Sequence, residues 1–288
     1  MNNIGLVLEG GGLRGVYTAG VLDYFLDKNI EFGYCIGASA GVCNAVSYIS
    51  KQKYRSRDIN LNYVNDKRYL GIGNLLKTGS IFGYKMMLDT IPHQLMPFDY
   101  HTYENSKCVL TAAVTNCETG KSEYYRLKNL RQHYDIVQAT TSLPLISKMV
   151  NIDNKKFLDG GVSDSIPIRQ SINDGNQYNV VVLTRDQTYR KKKSSIALAK
   201  IRYGKYPNLI KAMENRWNDY NNELEFIEKL EQLGKIFVFR PSEQLSISRL
   251  EKDVDKLSSV YDLAVRDSEN KHKSFMQWLE KTNITANK

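Results

Sequence analysis

Short runs of consecutive apolar residues recur along the first two thirds of the chain and alternate with segments of helical periodicity. Residues 4–8, 108–115 and 180–184 are apolar almost throughout, which predicts strands that are buried on both faces. Residues 16–26 place apolar side chains on one face, which predicts a helix directly after the first strand. This alternation indicates a three-layer α/β/α fold with a mainly parallel central sheet. The other predicted strands are 32–37, 122–126, 156–158 and 236–239.

Residues 69–98 break the alternation, because they are apolar but irregular, with four glycines and two prolines. Two interpretations stay open for this segment. It is either a helical insertion packed on the core, or a flap that lines an acyl pocket. The three methionines of the segment favour the flap, since methionine adapts to flexible chains.

The last hundred residues are predominantly helical in pattern. Apolar residues at steps of three and four from Leu209 to Leu230 predict a long amphipathic helix that ends at Gly234. Residues 250–263 and 273–279 predict two further helices. We therefore predict an α/β domain over residues 1–188 and a mostly helical, basic C-terminal extension over residues 189–288, packed on that domain.

Composition and charge narrow the class of protein. Hydrophobic residues make up 42% of the chain and charged residues 25%, which indicates a globular rather than a disordered protein. The net charge is +9, and residues 190–288 hold 20 Lys and Arg against 14 Asp and Glu, a net of +6. Such an excess indicates an anionic partner surface, either phospholipid or nucleic acid, or simply a solvated basic face.

The chain has no run of roughly 18 apolar residues, so no segment is expected to span a membrane. Its N-terminus lacks the basic start and apolar core of a signal peptide. The four cysteines are scattered and show no close metal-ligand pairing, which is typical of reduced thiols. We therefore predict a cytoplasmic protein without a bound metal. The cysteines are Cys35, Cys43, Cys108 and Cys117.

Ser39 lies at the centre of a Gly-x-Ser-x-Gly pattern between a predicted strand and a predicted helix. In that setting the pattern forms a sharp elbow with the serine exposed at its tip, and Gly37 and Gly41 leave space for the neighbouring strand and helix. The N–H of Ala40 would then point to where an oxyanion forms, at the positive end of the helix dipole. Taken alone, the pattern fits either a nucleophile or an ordinary small-residue turn.

The first strand runs into a loop with three consecutive glycines. Gly10, Gly12 and Gly15 match the dinucleotide-binding fingerprint, and Glu31 lies in the usual window for a ribose-binding acid. The same glycines could instead offer backbone N–H groups to an oxyanion, and Arg14 favours this reading because a cation there would neutralise developing negative charge. A plain tight turn is the third interpretation.

A serine hydroxyl is unreactive without a base. No histidine follows a strand end as a triad histidine would, so we expect all four to be surface residues. Asp159 is the better candidate, because it follows an apolar strand and precedes Gly160 and Gly161, which let the backbone turn sharply. We expect its carboxylate at the same sheet edge as Ser39, where the carboxyl ends of strands gather. An ordinary turn aspartate is the alternative. The histidines are His93, His101, His133 and His272.

The glycine loop at 10–15, the elbow at 37–41 and the Asp-Gly-Gly motif at 159–161 occur in this order along the chain. Together with Ser-Leu-Pro at 142–144 and Asp-Ser-Ile-Pro at 164–167, they resemble the patatin family of phospholipases and acyl hydrolases. The resemblance covers roughly residues 4–185. The tail from about 190 to 280 is similar to the helical extension of a bacterial patatin-like subfamily whose natural substrates are poorly defined.

The resemblance implies that Ser39 is the nucleophile and Asp159 its base, in a dyad without histidine. Gly11, Gly12 and the loop of Arg14 would form the oxyanion hole, to which the N–H of Ala40 is added from the elbow geometry. Glu9 stands where many relatives have aspartate, and we expect a structural role for it.

The resemblance further implies a serine acyl-ester hydrolase of the lipase or phospholipase type, acting on a lipid or a small acyl ester without any cofactor. We expect peripheral contact with an anionic membrane and no nucleic-acid partner. Two alternatives stay open. A catalytically weak scaffold or membrane-binding protein of the same fold would carry a damaged motif, and none is damaged here. A dinucleotide-binding oxidoreductase would leave Ser39 and Asp159 unexplained.

Overall fold

The computed structural model describes residues 4–286, so the ends of the two predicted domains, 1–3 and 287–288, lie outside the described residues. Within that range one central sheet has eight strands, in the order β5-β6-β3-β2-β1-β7-β8, and β4 also pairs with β3. The strands are β1 (Ile4–Leu8), β2 (Tyr34–Ala38), β3 (Val109–Asn116), β4 (Ser122–Arg126), β5 (Val150–Ile152), β6 (Lys155–Asp159), β7 (Tyr178–Val182) and β8 (Ile236–Phe239).

Neighbouring strands from β3 through β2, β1 and β7 to β8 run parallel, whereas the pairs of β3 with β4, β3 with β6 and β5 with β6 are antiparallel. Every residue of β1 and β7 is buried, which explains their unbroken apolar sequence. The expectation of a mainly parallel central sheet is therefore confirmed.

Helices cover both faces of the sheet. They are α1 (Val16–Asp27), α2 (Ala40–Ile49), α3 (Arg55–Tyr63), α4 (Ile72–Thr78), α5 (Tyr100–Glu104), α6 (Tyr134–Thr141), α7 (Ile168–Asn173), α8 (Ala197–Arg202), α9 (Pro207–Gln232) and α10 (Val254–Ala286). Short 3₁₀ turns occupy Gly12–Gly15, Leu130–His133 and Gly160–Val162, and Met86–Leu95 forms a π-helical segment. The core beneath α1, α2 and α10 includes Phe25 and Phe275, whereas Leu224 and Ile227 of α9 pack on the opposite face. The three-layer arrangement is thus confirmed.

The C-terminal segment is integrated with the sheet. Its long helix α9 confirms the predicted helix, and β8 adds a parallel strand beside β7. The predicted helices 250–263 and 273–279 are wrong as separate elements, because α10 begins at Val254 and continues past residue 279 without a break. Buried polar residues hid this continuity: Asp267 accepts a hydrogen bond from the Tyr17 hydroxyl at 3.0 Å, and Ser268 is fully buried. The domain division after residue 188 stays a prediction.

No helix in the described range is both long enough and apolar enough to cross a lipid bilayer.

Candidate active site

Ser39 occupies a strained turn between β2 and α2. Its backbone has φ 53° and ψ −124°, a conformation that residues other than glycine rarely adopt. The Ser39 N–H donates to Thr140 Oγ1 at 2.9 Å, and the Thr140 hydroxyl donates to the Ala113 carbonyl at 2.6 Å. The end of α6 therefore fastens the serine to the adjacent strand β3.

The two elbow glycines lie where the chain passes closest to the sheet. A Cβ on Gly41 would be 2.5 Å from the Leu8 carbonyl oxygen, and a Cβ on Gly37 would be 3.1 Å from the Gly41 carbonyl carbon. A side chain at either position would push α2 away from β1. The close approach expected of a nucleophile elbow is thus present in the backbone.

Asp159 meets Ser39 at the end of β6. The Ser39 Oγ donates to Asp159 Oδ2 at 2.6 Å, and the Gly161 N–H donates to Asp159 Oδ1 at 2.7 Å. Both residues are almost inaccessible, at 7% and 3% exposure. Burial raises the pKa of the Asp159 carboxyl above its usual value, although the hydrogen bonds and the nearby Arg216 oppose the rise.

The two side chains meet for a structural reason that differs from the one predicted from the sequence. Strand β6 is antiparallel to β3, so the rule about carboxyl ends of parallel strands does not apply to it. Register brings the residues together instead, since Asp159 lies opposite Val114 of β3 and Ala38 lies opposite Ala113. Gly160 permits this packing, because a Cβ there would collide with the Ala113 carbonyl.

The glycine loop lies against the elbow and is fastened to it. The Asn44 side chain donates from α2 to the Gly15 carbonyl at 2.8 Å, and a Cβ on Gly15 would be 2.8 Å from the Ala40 Cβ. Gly12 has φ +59°, and a Cβ there would lie 2.6 Å from the Arg249 carbonyl oxygen. The loop is therefore held between α2 and the C-terminal segment.

The loop leaves some backbone donors unused. The Gly10 N–H donates to the Ser165 carbonyl at 3.0 Å and so is already occupied. Within the described chain, no acceptor is recorded for the N–H groups of Gly11, Gly12 or Ala40. All three residues line the cavities beside Ser39, and Ala40 directly follows it in the chain.

Glu9 has the structural role that we expected. Its carboxylate accepts hydrogen bonds from the Thr184 N–H at 2.6 Å and from the Tyr220 hydroxyl at 2.7 Å. It therefore joins β1 to the end of β7 and to α9.

Two cavities meet at Ser39. The first, the apolar cavity, is lined by Ser39 and Ala40 and by mostly hydrophobic side chains. Much of its wall comes from the irregular segment 69–98 and from α6. The segment contributes Tyr69, Phe82, Met87, Leu88, Ile91 and Phe98. This lining agrees with the flap interpretation of the segment.

The second, the polar cavity, is lined by Ser39 together with Asp159 and Gly161. Leu143 and Gly12 line both cavities, as Ser39 does. The polar cavity is rich in basic side chains. They are Arg14, Arg185, Arg190, Lys191, Lys192, Arg216 and Arg249.

The histidines and Glu31 lie elsewhere. All four histidines belong to the described residues, and none lines either cavity. His93 and His101 are exposed as expected, whereas His133 and His272 are partly buried, the latter with its Nδ1 2.7 Å from the Tyr24 hydroxyl. Glu31 forms an exposed ion pair with Lys51 at 2.5 Å, and it lines neither cavity.

Sequence reasoning missed three residues of the site. Thr140 is the first of three consecutive polar residues at the end of a predicted helix. This signal is visible in the sequence but is not specific to an active site. Arg216 donates from Nε to the Gly161 carbonyl at 2.5 Å, and Arg249 supplies the carbonyl that accepts from the Leu13 N–H at 3.1 Å. Nothing in the local sequence connects these two arginines to Ser39.

Two relatives match most of the chain. It is 24% identical over 273 residues to the uncharacterized protein YjjU of Escherichia coli strain K12, covering 90% of this chain and 74% of that protein. It is 27% identical over 259 residues to the probable lipid hydrolase 463L of Invertebrate iridescent virus 6, covering 80% and 85% respectively.

A solved structure shares the fold. The crystal structure of VipD from Legionella pneumophila matches with a TM-score of 0.51 and 12% identity, covering 98% of this chain and 67% of that chain. Residues 206–280 match a domain of unknown function, DUF6363. Residues 6–172, more than half of the chain, match the model described as patatin-like phospholipase, and the chain therefore belongs to the patatin-like phospholipase family.

Proposed function

We propose that the chain is a serine acyl-ester hydrolase acting on lipids or small acyl esters, with Ser39 and Asp159 as its catalytic dyad. The observation that carries the proposal is the 2.6 Å hydrogen bond from Ser39 Oγ to Asp159 Oδ2, at the junction of the apolar and polar cavities. Membership of a phospholipase family and the relative named as a probable lipid hydrolase support this class of activity.

The first step is acyl transfer to the serine. Asp159 accepts the Ser39 proton while Oγ attacks the ester carbonyl carbon, and the proton then passes to the leaving alkoxide as the ester C–O bond breaks. In the second step, water gives a proton to Asp159 and attacks the acyl-enzyme, and Ser39 leaves with that proton. The raised pKa of Asp159 makes its carboxylate a stronger base than an ordinary one.

The oxyanion of each tetrahedral intermediate would be bound by the free N–H groups of Gly11, Gly12 and Ala40. Each such donor is worth about 3 kcal/mol of transition-state stabilisation. Arg14 adds positive charge beside the same loop and lines the polar cavity. The acyl chain would occupy the apolar cavity, whose wall of aromatic and methionine side chains suits it.

The Ser39→Ala variant tests this function with a short chromogenic ester. We expect hydrolysis to fall to the uncatalysed rate while circular dichroism is unchanged, because only a hydroxyl is removed. Ser246→Ala, an exposed serine, is the matched control and retains activity. Full activity of Ser39→Ala would refute the assignment of the nucleophile. A wild-type protein without any esterase activity would favour the alternative of a catalytically weak scaffold.

We also propose that the protein contacts anionic membranes through one face, the apolar-basic face, formed by α4, α8 and the loop 143–148. Leu76 on α4 and Ile201 on α8 are each 82% exposed, far more than is usual for large aliphatic side chains. The other exposed apolar residues of this face are Ile72, Leu145 and Leu198. Exposed Lys77, Lys148 and Arg202 lie among them, a mixture that suits an anionic lipid surface.

Contacts join the two helices through the loop. The Leu145 N–H donates to the Tyr203 hydroxyl at 2.8 Å, directly after α8. A Cβ on Gly79, at the end of α4, would contact the Lys148 side chain. Leu143 of the same loop lines both cavities, so lipid bound at this face would be close to Ser39. The cytoplasmic location stays a prediction.

Vesicle sedimentation tests the contact. We expect binding to phosphatidylcholine vesicles that contain phosphatidylglycerol, and a loss of binding for the double variant Leu76→Gln and Ile201→Gln. The control Leu233→Gln changes a 63% exposed leucine at the end of α9 and binds as the wild type does. Equal binding to vesicles without anionic lipid would show that the basic residues of this face do not contribute to membrane binding.

A further inference from the structure

Arg55, the first residue of α3, is the only charged side chain that lines the apolar cavity within the described part of the chain. It is 7% exposed, and no carboxylate oxygen of the described residues lies within 4.0 Å of it. Burial lowers the pKa of its guanidinium. A buried arginine is usually paired, because an uncompensated charge in the protein interior is costly. The steps proposed at Ser39 make no use of this cation.

The guanidinium of Arg55 is held by backbone carbonyls on one nitrogen only. Its Nη1 donates to the Met96 carbonyl at 2.5 Å and to the Pro97 carbonyl at 3.4 Å, directly after the π-helical segment. Its Nε and Nη2 have no acceptor within the described chain, and neither atom is completely enclosed. The bonds of Nη1 therefore position the guanidinium and leave the edge formed by Nε and Nη2 for another acceptor.

Aromatic side chains of the cavity wall surround this cation. The Arg55 Cζ lies 5.3 Å from the centre of the Phe98 ring, and the centres of the Phe98 and Tyr100 rings are 4.8 Å apart. The Tyr100 hydroxyl is in turn hydrogen-bonded to the Tyr134 hydroxyl. All three aromatic residues line the apolar cavity. The guanidinium thus lies on the cavity wall in a largely apolar setting, where an ionic bond is stronger than in water.

Arg55 and Ser39 lie at opposite ends of this cavity. Ser39 directly precedes α2, whereas the Arg55 N–H donates to the carbonyl of Gln52, which follows the end of α2. Ser39 is also bonded to Thr140 near the end of α6, whereas Tyr134 is the first residue of α6. Both helices contribute lining side chains along their length. The ten residues of α2 span about 15 Å, which sets the length of the cavity between the two residues.

We propose that Arg55 binds a carboxylate at the far end of the acyl chain, so that the preferred acyl group is that of a dicarboxylic acid half-ester. This inference rests on the proposed function, since it takes the ester carbonyl to Ser39 and the acyl chain to the apolar cavity. The carboxylate supplies the missing counter-charge and accepts from Nε and Nη2 together, in the bidentate geometry that the arginine fork favours. A chain that ends in a methyl group leaves the cation unpaired.

The length of the cavity indicates which chains reach from Ser39 to Arg55. An extended chain advances about 1.2 Å per bond, so a span of about 15 Å corresponds to roughly ten to twelve carbons. The side chain of Arg55 also extends towards the ligand, which favours the shorter members of this range. The acyl groups to compare are therefore those from octanedioic to dodecanedioic acid.

Chromogenic esters separate this role of Arg55 from a structural one. The kcat/KM is measured for the nitrophenyl half-esters of these dicarboxylic acids and for the nitrophenyl esters of the fatty acids of the same lengths. We expect the wild type to prefer the carboxylated ester at one or more lengths. Arg55→Met should reduce that preference about tenfold, the effect of one lost charge-assisted bond. The ratio is taken within each variant, so a general loss of activity cancels.

Two further variants serve as controls for Arg55→Met. Arg57→Met should keep the wild-type preference, because Arg57 lies on the same helix, pairs with Asp58 at 2.8 Å and does not line the cavity. Arg55→Lys keeps the positive charge without the fork and should show an intermediate preference. If no carboxylated ester were preferred at any length, or if Arg55→Met kept the preference, Arg55 would only support the carbonyls of Met96 and Pro97 and the proposal would be overturned.

A binding measurement separates a failure of this inference from a failure of the proposed function. Monomethyl decanedioate and methyl decanoate are titrated calorimetrically into Ser39→Ala, which needs no turnover, and into Ser39→Ala with Arg55→Met. We expect Ser39→Ala to bind the carboxylated ester about tenfold more tightly than the uncharged one, and the double variant to lose this difference. That result would support the carboxylate site even if the wild type hydrolysed no ester. Equal binding of the two esters by Ser39→Ala would overturn the site even if the wild type hydrolysed both.

Discussion

Replacing Thr140 with valine tests how the nucleophile is held. The substitution keeps the shape of the side chain but removes the hydroxyl that accepts from the Ser39 N–H and donates to the Ala113 carbonyl. Thr140 is fully buried, so water cannot replace the lost bonds freely. A buried polar group without its partner costs about 1–3 kcal/mol, so two such groups should lower the free energy of unfolding by about 3 kcal/mol.

For a chain of this size, that loss corresponds to a fall of roughly 6–12 °C in Tm. Activity should fall further, because the strained backbone of Ser39 loses one of its constraints. A misplacement of about 1 Å at a reacting atom can reduce the rate about 100-fold, and we expect a fall in kcat of that order. Calorimetry measures the first effect, and ester hydrolysis well below the new Tm measures the second.

The matched control is Thr18→Val. Thr18 is also fully buried, but its hydroxyl has no hydrogen-bond partner within the described residues, so the same exchange removes no bond. We expect the stability to be unchanged or to rise, by at most about 1–3 kcal/mol, because a buried hydroxyl without a partner is itself unfavourable. If Thr140→Val were as stable and as active as Thr18→Val, the hydroxyl could not be holding the serine.

Three further predictions concern the site and its charges. Only the carboxylate form of Asp159 can accept a proton, and its pKa is raised, so kcat/KM for a neutral ester should fall with decreasing pH at a higher pH than an ordinary carboxyl would require. Arg216→Met removes a cation that opposes this rise and should therefore move the fall in kcat/KM to still higher pH. A shift to lower pH in this variant would count against the role of Asp159. The pKa of Lys191 is lowered in the folded chain, so the charge on this lysine destabilises the fold increasingly as pH falls from 10.5 towards 7. Lys191→Gln removes this charge and should therefore raise Tm more at pH 6 than at pH 10. Equal shifts in Tm at the two pH values would contradict this. Gly41→Ala should reduce soluble yield and Tm, because its Cβ meets the Leu8 carbonyl; a normal melting curve would show that α2 can move at little cost.

Much of the fold could be predicted from local sequence. Buried strands are apolar along their whole length, and glycines are required where a Cβ would collide with backbone, as at Gly41. Both signals are visible within a few residues. The order of the three motifs then indicated which distant segments belong to one site.

Other features depend on packing between distant segments and left no local trace. The continuity of α10 was missed because Asp267 and Ser268 are buried polar residues that interrupt its apolar stripe. The bond from Arg216 to Gly161 joins residues 55 positions apart, and on α9 that arginine resembles any solvated helix residue. The basic side chains of the polar cavity come from four separate segments, which only the fold brings together.

The most direct test of the account is whether Asp159 activates Ser39. A fluorophosphonate reacts with an activated serine hydroxyl, and mass spectrometry of the intact and digested protein identifies the modified residue. We predict one adduct on Ser39 in the wild type and at least a 100-fold slower reaction in Asp159→Asn, roughly the loss expected when a general base is removed. An unlabelled wild type, or equal labelling of the two proteins, would contradict the proposed dyad.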